Sequence, residues 1–352
     1  MGFILIPLVS LATALILTPL AGKLGIWWGI VDTPGPRRIH QGVIPRLGGV
    51  ALFFSFLIGL LALFALPDGW LPPSQDPKEI VRLAGLLFGT VFVFGVGLID
   101  DRRNLKPGVQ LICQLVAAGI AYLFLIFIER VNNPLTNEVV IFPWPVILLL
   151  TIFWIVGMMN TVNWLDGLDG LAAGVTAIAC AVLAIHMYRE GQYSVALLPL
   201  ALLGATLGFL PYNFHPARVF MGSSGSYTLG FALGTLGIIA GAKLATILLV
   251  MGIPIMDVAW QIVNRWRQGK ASWKADLGHL HYRLLEYGLS QRQIVVLMYL
   301  FCAAFGALAL LISSRMCKLY AIVGLGTLTL AALVALANRQ GINHESTQDT
   351  NK

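Results

Sequence analysis

Long apolar stretches alternate with short polar ones along almost the whole chain. Eleven apolar stretches lie near residues 2–21, 47–66, 80–98, 109–128, 144–160, 170–188, 193–212, 225–240, 244–263, 293–312 and 319–337. Each reaches or approaches the roughly 20 residues that a helix needs to cross a bilayer. Inside a bilayer the backbone finds partners only within its own helix or in a closed barrel, so helices are the expected form. The pattern predicts an all-α, polytopic integral membrane protein of about eleven transmembrane helices. One transmembrane domain over residues 1–340 and a disordered polar tail over 341–352 complete the expectation. The eighth stretch is short and rich in small residues. Its pairs Gly230/Gly234 and Gly237/Gly241, each four apart, suit close helix contact.

The loops between these stretches fall alternately on two sides. Residues 22–46, 99–108, 161–169, 213–224, 264–292 and the tail share one side, and they carry 16 of the 23 Lys and Arg. The positive-inside rule puts that side in the cytoplasm, with the N-terminus outside and the C-terminus cytoplasmic. The chain is 58% hydrophobic and 11% charged, with a mean hydropathy of +0.82, which excludes a soluble protein. Its net charge of +7 is spread through short loops and reads as membrane topology and an anionic ligand, with no nucleic acid as partner. Four scattered cysteines form no CxxC and no disulfide framework. No charge precedes Lys23, so the first stretch lacks the basic start of a signal peptide.

Every polar cluster with chemical promise falls on the cytoplasmic side. The densest runs from Asn160 to Leu171 and holds Asn160, Asn163, Asp166 and Asp169, with Gly167 and Gly170 between and after the carboxylates. Asn160 and Asn163 are three apart, as are Asp166 and Asp169, so on a helix each pair shares a face. The glycines allow a sharp turn or a close approach of backbone. A polar turn between two spans is the plain alternative. The first loop carries Arg37, Arg38, His40 and Arg46 on a Pro- and Gly-rich path that ends at Gly48-Gly49. Arginine's planar fork suits phosphate oxygens, while headgroup anchoring also accounts for Arg37 and Arg38. The second loop opens on Asp100-Asp101, adjacent carboxylates that repel unless they share a cation or a proton. A magnesium site built from one or two carboxylates plus substrate phosphates fits this pair, and a helix C-terminal cap is the alternative. The fourth loop reads Arg218 and then Gly222-Ser223-Ser224-Gly225-Ser226, either a phosphate cradle or a simple N-cap. The fifth holds Asp257, Arg265, Arg267, Lys270, Lys274, Asp276, His279, His281 and Arg283. Two histidines two apart, with no third His or Cys nearby, suit an anion beside Arg283 better than zinc. Charges are nearly absent from the middles of the spans, which disfavours a transporter or flippase.

Taken in order, the His40–Gly49 loop, Asp100-Asp101, Asn160–Leu171, Met221–Ser226 and Gly278-His279-Leu280-His281 make the chain resemble the polyprenyl-phosphate N-acetylhexosamine-1-phosphate transferase family. The resemblance covers almost the whole chain. It is nearest to the WecA/TagO-like branch that uses UDP-N-acetylglucosamine, marked by Gly252-Ile253-Pro254-Ile255-Met256-Asp257 and the later His-x-His. It implies transfer of a sugar phosphate from a UDP-N-acetylhexosamine to undecaprenyl phosphate, with release of UMP. Magnesium, or manganese in its place, would be the cofactor, and a homodimer in the inner membrane the assembly. Carried over residue by residue, Asn163, Asp101 and Ser223 would stand on the metal side. Asp169 would lie near the uracil, and Asp100 and Asp101 would face the lipid phosphate and the diphosphate. His279 and His281 would grip the diphosphate, Asp166 would fix the geometry of its stretch, and Asn160, His40, Arg46, Arg218 and Arg283 would line the substrates. Asp101→Asn should then abolish turnover with little loss of folded protein.

The chain departs from the family pattern at three places. Ser223 stands where the family has a magnesium-binding Asp, Gln110 where it often has Lys, and Leu277 and Tyr282 where an Arg and a further His often flank the His-x-His. A member that binds nucleotide-sugar or lipid phosphate without turning it over is therefore the competing expectation.

Overall fold

The computed structural model describes residues 1–33, 42–74, 76–136, 138–241, 243–267 and 279–349. Arg37, Arg38 and His40 of the first loop, and Lys270, Lys274, Asp276, Leu277 and Gly278 of the fifth, lie outside the described residues.

Helices carry the fold. They are α1 (Gly2–Trp27), α2 (Gly48–Ala65), α3 (Glu79–Arg103), α4 (Pro107–Leu123), α5 (Trp144–Leu165), α6 (Leu171–Arg189) and α7 (Tyr193–Asn213). After them come α8 (Gly222–Ile239), α9 (Leu244–Val250), α10 (Gly252–Arg267), α11 (Leu280–Glu286), α12 (Gln291–Leu311) and α13 (Arg315–Asp349). Two short antiparallel pairs, β1 (Val31–Asp32) with β2 (Ile44–Pro45) and β3 (Arg130–Asn132) with β4 (Val139–Ile141), lie in the loops before α2 and before α5.

All eleven predicted stretches coincide with helices. Eight of these are long and apolar enough to cross a membrane on their own. The remaining three differ for separate reasons. The stretch at 244–263 is bent by 81° between α9 and α10, where Met251, Gly252 and Pro254 interrupt it. Helix α4, at 17 residues, is shorter than all of those eight, the shortest of which is the 18-residue α2. Helix α8 is too polar, because it occupies the centre of the bundle and every one of its residues is buried. Multiple apolar helices of this kind define an integral, multi-pass membrane protein.

The small residues of α8 explain its position. A Cβ on Gly230 would meet Met159 Cα of α5 at 2.6 Å, and one on Gly234 would meet Met158 Cβ at 3.2 Å. A Cβ on Gly89 of α3 would overlap the Phe231 ring. Helices α3 and α5 are accordingly its most extensive neighbours. The buried hydroxyls on α8 cost little, because they bond back into their own helix. Thr228 Oγ1 donates to Ser224 O at 2.7 Å, and Thr235 Oγ1 to Phe231 O at 2.8 Å. The backbone of α13 is helical as far as Asp349.

Candidate active site

The N-terminus of α8 is where the polar residues of several loops meet. Gly222, Ser223 and Ser224 are its first three residues, whose N–H groups have no partner within the helix. Asp101, near the C-terminal end of α3, supplies one. Its Oδ1 accepts from Ser223 N at 2.6 Å, and its Oδ2 accepts from Ser224 N at 3.0 Å and Ser224 Oγ at 2.6 Å. Helix α8 thus begins on a carboxylate borrowed from another helix, and the N–H groups of the glycine–serine turn are spent on it. Three glycines permit the contact. Gly222 has φ +67, and a Cβ there would lie 2.5 Å from Asp101 Oδ1. A Cβ on Gly97 would meet Ser224 Cα, and one on Gly49 would meet Gly225 N and Ser224 Oγ. Gly48 N and Gly49 N also donate to Phe220 O and Met221 O, both at 2.9 Å. Close packing of α2 on α8 accounts for this glycine pair.

The third loop reaches the same place. Asn163 Nδ2 donates to Ser226 Oγ at 2.9 Å, which in turn approaches Ser223 O at 3.4 Å. The Asn163 amide oxygen therefore stays available. Asp166, the C-terminal cap of α5, is half-buried and its side chain makes no hydrogen bond with the described residues. Burial pushes its carboxyl well above the usual carboxylate range, Arg46 opposes this, and Asp101 and Asp169 reinforce it. Arg46 Nη2 lies 3.9 Å from Asp101 Oδ1. Beside them a polar cavity of about 400 Å³ is lined by Ile30, Asp32, Arg46, Asp101, Arg102 and Asn104. Its size lies within the range of small-molecule sites.

The two glycines of the third loop do different things. Gly170, with φ +81, makes the turn into α6. Gly167 lets another element close in, since a Cβ there would lie 2.7 Å from His281 Nε2 and 3.1 Å from the Tyr282 hydroxyl. Short helix α11 thus docks on the turn between α5 and α6. The rings of His279 and His281 are parallel at 5.5 Å, and Trp164 lies 5.6 Å from His279. Arg265 sits over Trp164 at 6.0 Å. Asp257, on α10, accepts from Leu280 N and pairs with His279 Nδ1, both at 2.9 Å. Burial lowers the His281 pKa to about 4, so the ring is neutral at pH 7. Its Nε2 is buried with no hydrogen-bond partner among the described residues.

Other residues singled out from sequence have structural partners. Asp100 Oδ1 accepts from Leu105 N at 2.7 Å and Gln110 Nε2 at 2.9 Å, so Asp100 braces the turn after α3. Gln110, where the family often has Lys, is thus a neutral partner of the first carboxylate. Asp169 Oδ2 pairs with His215 Nδ1 at 2.8 Å and accepts from Ala217 N at 3.0 Å, which ties the third loop to the fourth. Asn160 does not turn toward α8. It exchanges amide bonds with Gln114 of α4, at 2.8 and 3.3 Å. Arg283 is buried and donates to Leu333 O of α13 at 3.3 Å. Arg218 is exposed. His215, Gln114 and Trp164 carry no expected role from the sequence, and Ser224, an expected N-cap, is instead the third residue of α8. Ser224 and Ser226 belong to the glycine–serine motif, whereas Gln114 is a lone amide in an apolar stretch, which is itself a signal of a polar partner.

Among the described residues no three His, Cys, Asp or Glu side chains gather to hold a metal. Asn163 and Asp166 are nonetheless three residues apart, and Ser226 Oγ links the Asn163 amide to the Ser223 carbonyl, so an amide oxygen, a carboxylate and a hydroxyl, all hard donors, belong to linked residues. Such a set suits magnesium, which often takes one or two carboxylates and completes its shell with water and substrate phosphate.

The architecture defines a polytopic membrane protein whose polar chemistry is collected at one end of its helices. Residues 83–241 match the family described as "Glycosyl transferase family 4". The chain is 33% identical over 313 residues to the "Probable undecaprenyl-phosphate N-acetylglucosaminyl 1-phosphate transferase" of Bacillus subtilis (strain 168), covering 87% of this chain and 84% of that relative. It is 34% identical over 321 residues to the "Decaprenyl-phosphate N-acetylglucosaminephosphotransferase" of Mycolicibacterium smegmatis (strain ATCC 700084 / mc(2)155), covering 81% and 76%. It is 32% identical over 312 residues to the "Phospho-N-acetylmuramoyl-pentapeptide-transferase" of Bacillus subtilis (strain 168), covering 84% and 90%. This chain belongs to glycosyl transferase family 4.

Proposed function

We propose that this protein is a phosphotransferase that moves N-acetylglucosamine 1-phosphate from UDP-N-acetylglucosamine to undecaprenyl phosphate and releases UMP. The reaction would make the first lipid-linked intermediate of a cell-envelope glycan, at the cytoplasmic face of the inner membrane. The relatives named for this transfer support it, and the observation that carries it is the meeting of Asp101, Asn163, Ser223, Asp166 and Arg46 at the start of α8.

A lipid phosphate oxygen attacks the sugar-side phosphorus, and the bond to UMP breaks. Such a transfer depends mostly on alignment and on neutralising charge. The acceptor's second pKa is near ~6, so it is largely dianionic at pH 7 and needs no strong base. Asp101 holds α8 and its serines in place, and Arg46 offers positive charge beside it. Asn163, Ser223 and Asp166 would hold a magnesium ion, which would supply Lewis acidity to the reacting phosphates. His279 presents its ring beside the turn between α5 and α6.

The test is a panel of UDP-sugars with purified protein, undecaprenyl phosphate and a UMP assay, with and without magnesium. UMP release that needs both lipid phosphate and magnesium is the expected result, and none with any donor would end the reading. A second reading, binding without turnover, is favoured by Ser223 in place of the family's Asp and by the bonds on both Asp101 oxygens. Saturable binding of UDP-sugar without UMP release would select it.

A further inference from the structure

Asp257 stands outside the residues assigned above, yet its carboxylate does two things at once. Oδ2 lies 2.9 Å from His279 Nδ1, and Oδ1 accepts from Leu280 N at 2.9 Å. Both Asp257 and His279 are buried. The contact spans 22 residues of chain and ties the base of the fifth loop to α10. We infer that Asp257 is a positioning residue. It accepts a hydrogen bond from the Nδ1–H of His279, fixes the ring's plane, and so presents Nε2 to the substrate side.

Three observations carry this. First, the pairing leaves Nε2 as the only ring nitrogen free to meet a ligand. A carboxylate on one imidazole nitrogen sets the tautomer and the direction of the other. Second, Trp164 and the parallel His281 ring flank His279 and confine it, so what remains for Asp257 to set is the ring's tautomer and final plane. Third, those neighbours are themselves fixed to the reacting region, since His281 abuts Gly167, one residue from Asp166. A plain helix cap for α11 would need only the bond to Leu280 N. The second oxygen, on the ring, is what points beyond stability.

The inference rests on the transferase reading for its activity arm but not for its spectroscopic arm. Asp257→Asn retains an oxygen for Leu280 N and places an amide N–H against Nδ1, which shifts the proton to Nε2. UMP release by the full chain in detergent should fall about 10- to 100-fold, the effect of a lost charge-assisted bond. In a His279→Gln background the same substitution should change the residual rate by less than about twofold, because Asp257 then has no ring to hold. Undiminished loss in that background would overturn the inference. Nitrogen-15 spectra of histidine-labelled protein, with His279 assigned by difference from His279→Gln, should show Nδ1 protonated in the wild type. An Nε2-protonated ring there would overturn it too, even if Asp257→Asn failed to fold. Failure of the wild type to release UMP would instead sink the transferase reading and leave the spectrum to decide Asp257.

Discussion

Asp101→Asn is the most informative single change, because one carboxylate joins α3 to the start of α8. Its two oxygens accept three bonds, from Ser223 N, Ser224 N and Ser224 Oγ, all buried. Asparagine keeps one oxygen. The best arrangement leaves that oxygen on Ser224 and turns the amide NH₂ toward Ser223 N, donor facing donor. One charge-assisted bond worth about 1.5–3 kcal/mol disappears, and a buried N–H goes unpaired at about 1–3 kcal/mol more. The favourable field of a negative charge at a helix N-terminus goes too, about 0.3–1 kcal/mol. The relief of desolvating a charge offsets part of this, so the net loss is about 3–5 kcal/mol. At about 2 °C per kcal/mol for a chain of this size, the Tm in detergent should fall by about 6–10 °C. The three bonds thus revise the expectation from sequence that this variant loses turnover while sparing the fold. Ser224→Ala, which removes one neutral donor, should cost only about 1 kcal/mol. Thermal unfolding and UMP release measured on the same preparations decide the matter. An Asp101→Asn protein with wild-type Tm would refute the capping account, whatever its activity.

Three further outcomes are expected. Ser223→Asp should lower the half-saturating magnesium concentration in the UMP assay by about tenfold, well inside the ~4 kcal/mol that unit charges 4 Å apart exchange near a protein surface; an unchanged titration removes Ser223 from the metal site. His281 has its pKa lowered from 6.5 to about 4, so on acidification the unfolded chain takes a proton that the folded ring refuses. Stability attributable to it is intact above pH 6.5 and falls by up to about 3 kcal/mol as the pH drops toward 4, so His281→Gln should flatten the fall in Tm between pH 7 and 4.5. Asn160→Ala should cost about 1–2 kcal/mol by stranding Gln114, with UMP release reduced less than about threefold. Loss of turnover at unchanged Tm would instead put Asn160 on the substrate.

Sequence alone made the spans legible, because a bilayer writes a one-dimensional code of apolar runs long enough to cross it. It also made the site region legible, because polar residues that are costly in hydrocarbon collect where the chain leaves it. The broken ninth stretch escaped that code. Hydropathy averages over a window and does not register an 81° bend at Gly252 and Pro254. Helix α8 met it only in part, since a central helix packs against protein and its small, polar residues tell of neighbours rather than of lipid.

Within the loops, residue type set what each side chain could do, and tertiary contacts set what it does. Asn160 and Asn163 share a motif and a residue type, yet one holds α4 and the other reaches α8. Arg283 sits two residues after His281 but turns away to the Leu333 carbonyl. Gly167 shows no left-handed backbone angle, and its lack of a side chain makes sense only once α11, 115 residues further on, is seen against it. The physical reason is common to all of these. A hydrogen-bonding group that leaves water must take the partner that long-range packing puts within about 3 Å, and that distance exists only in three dimensions.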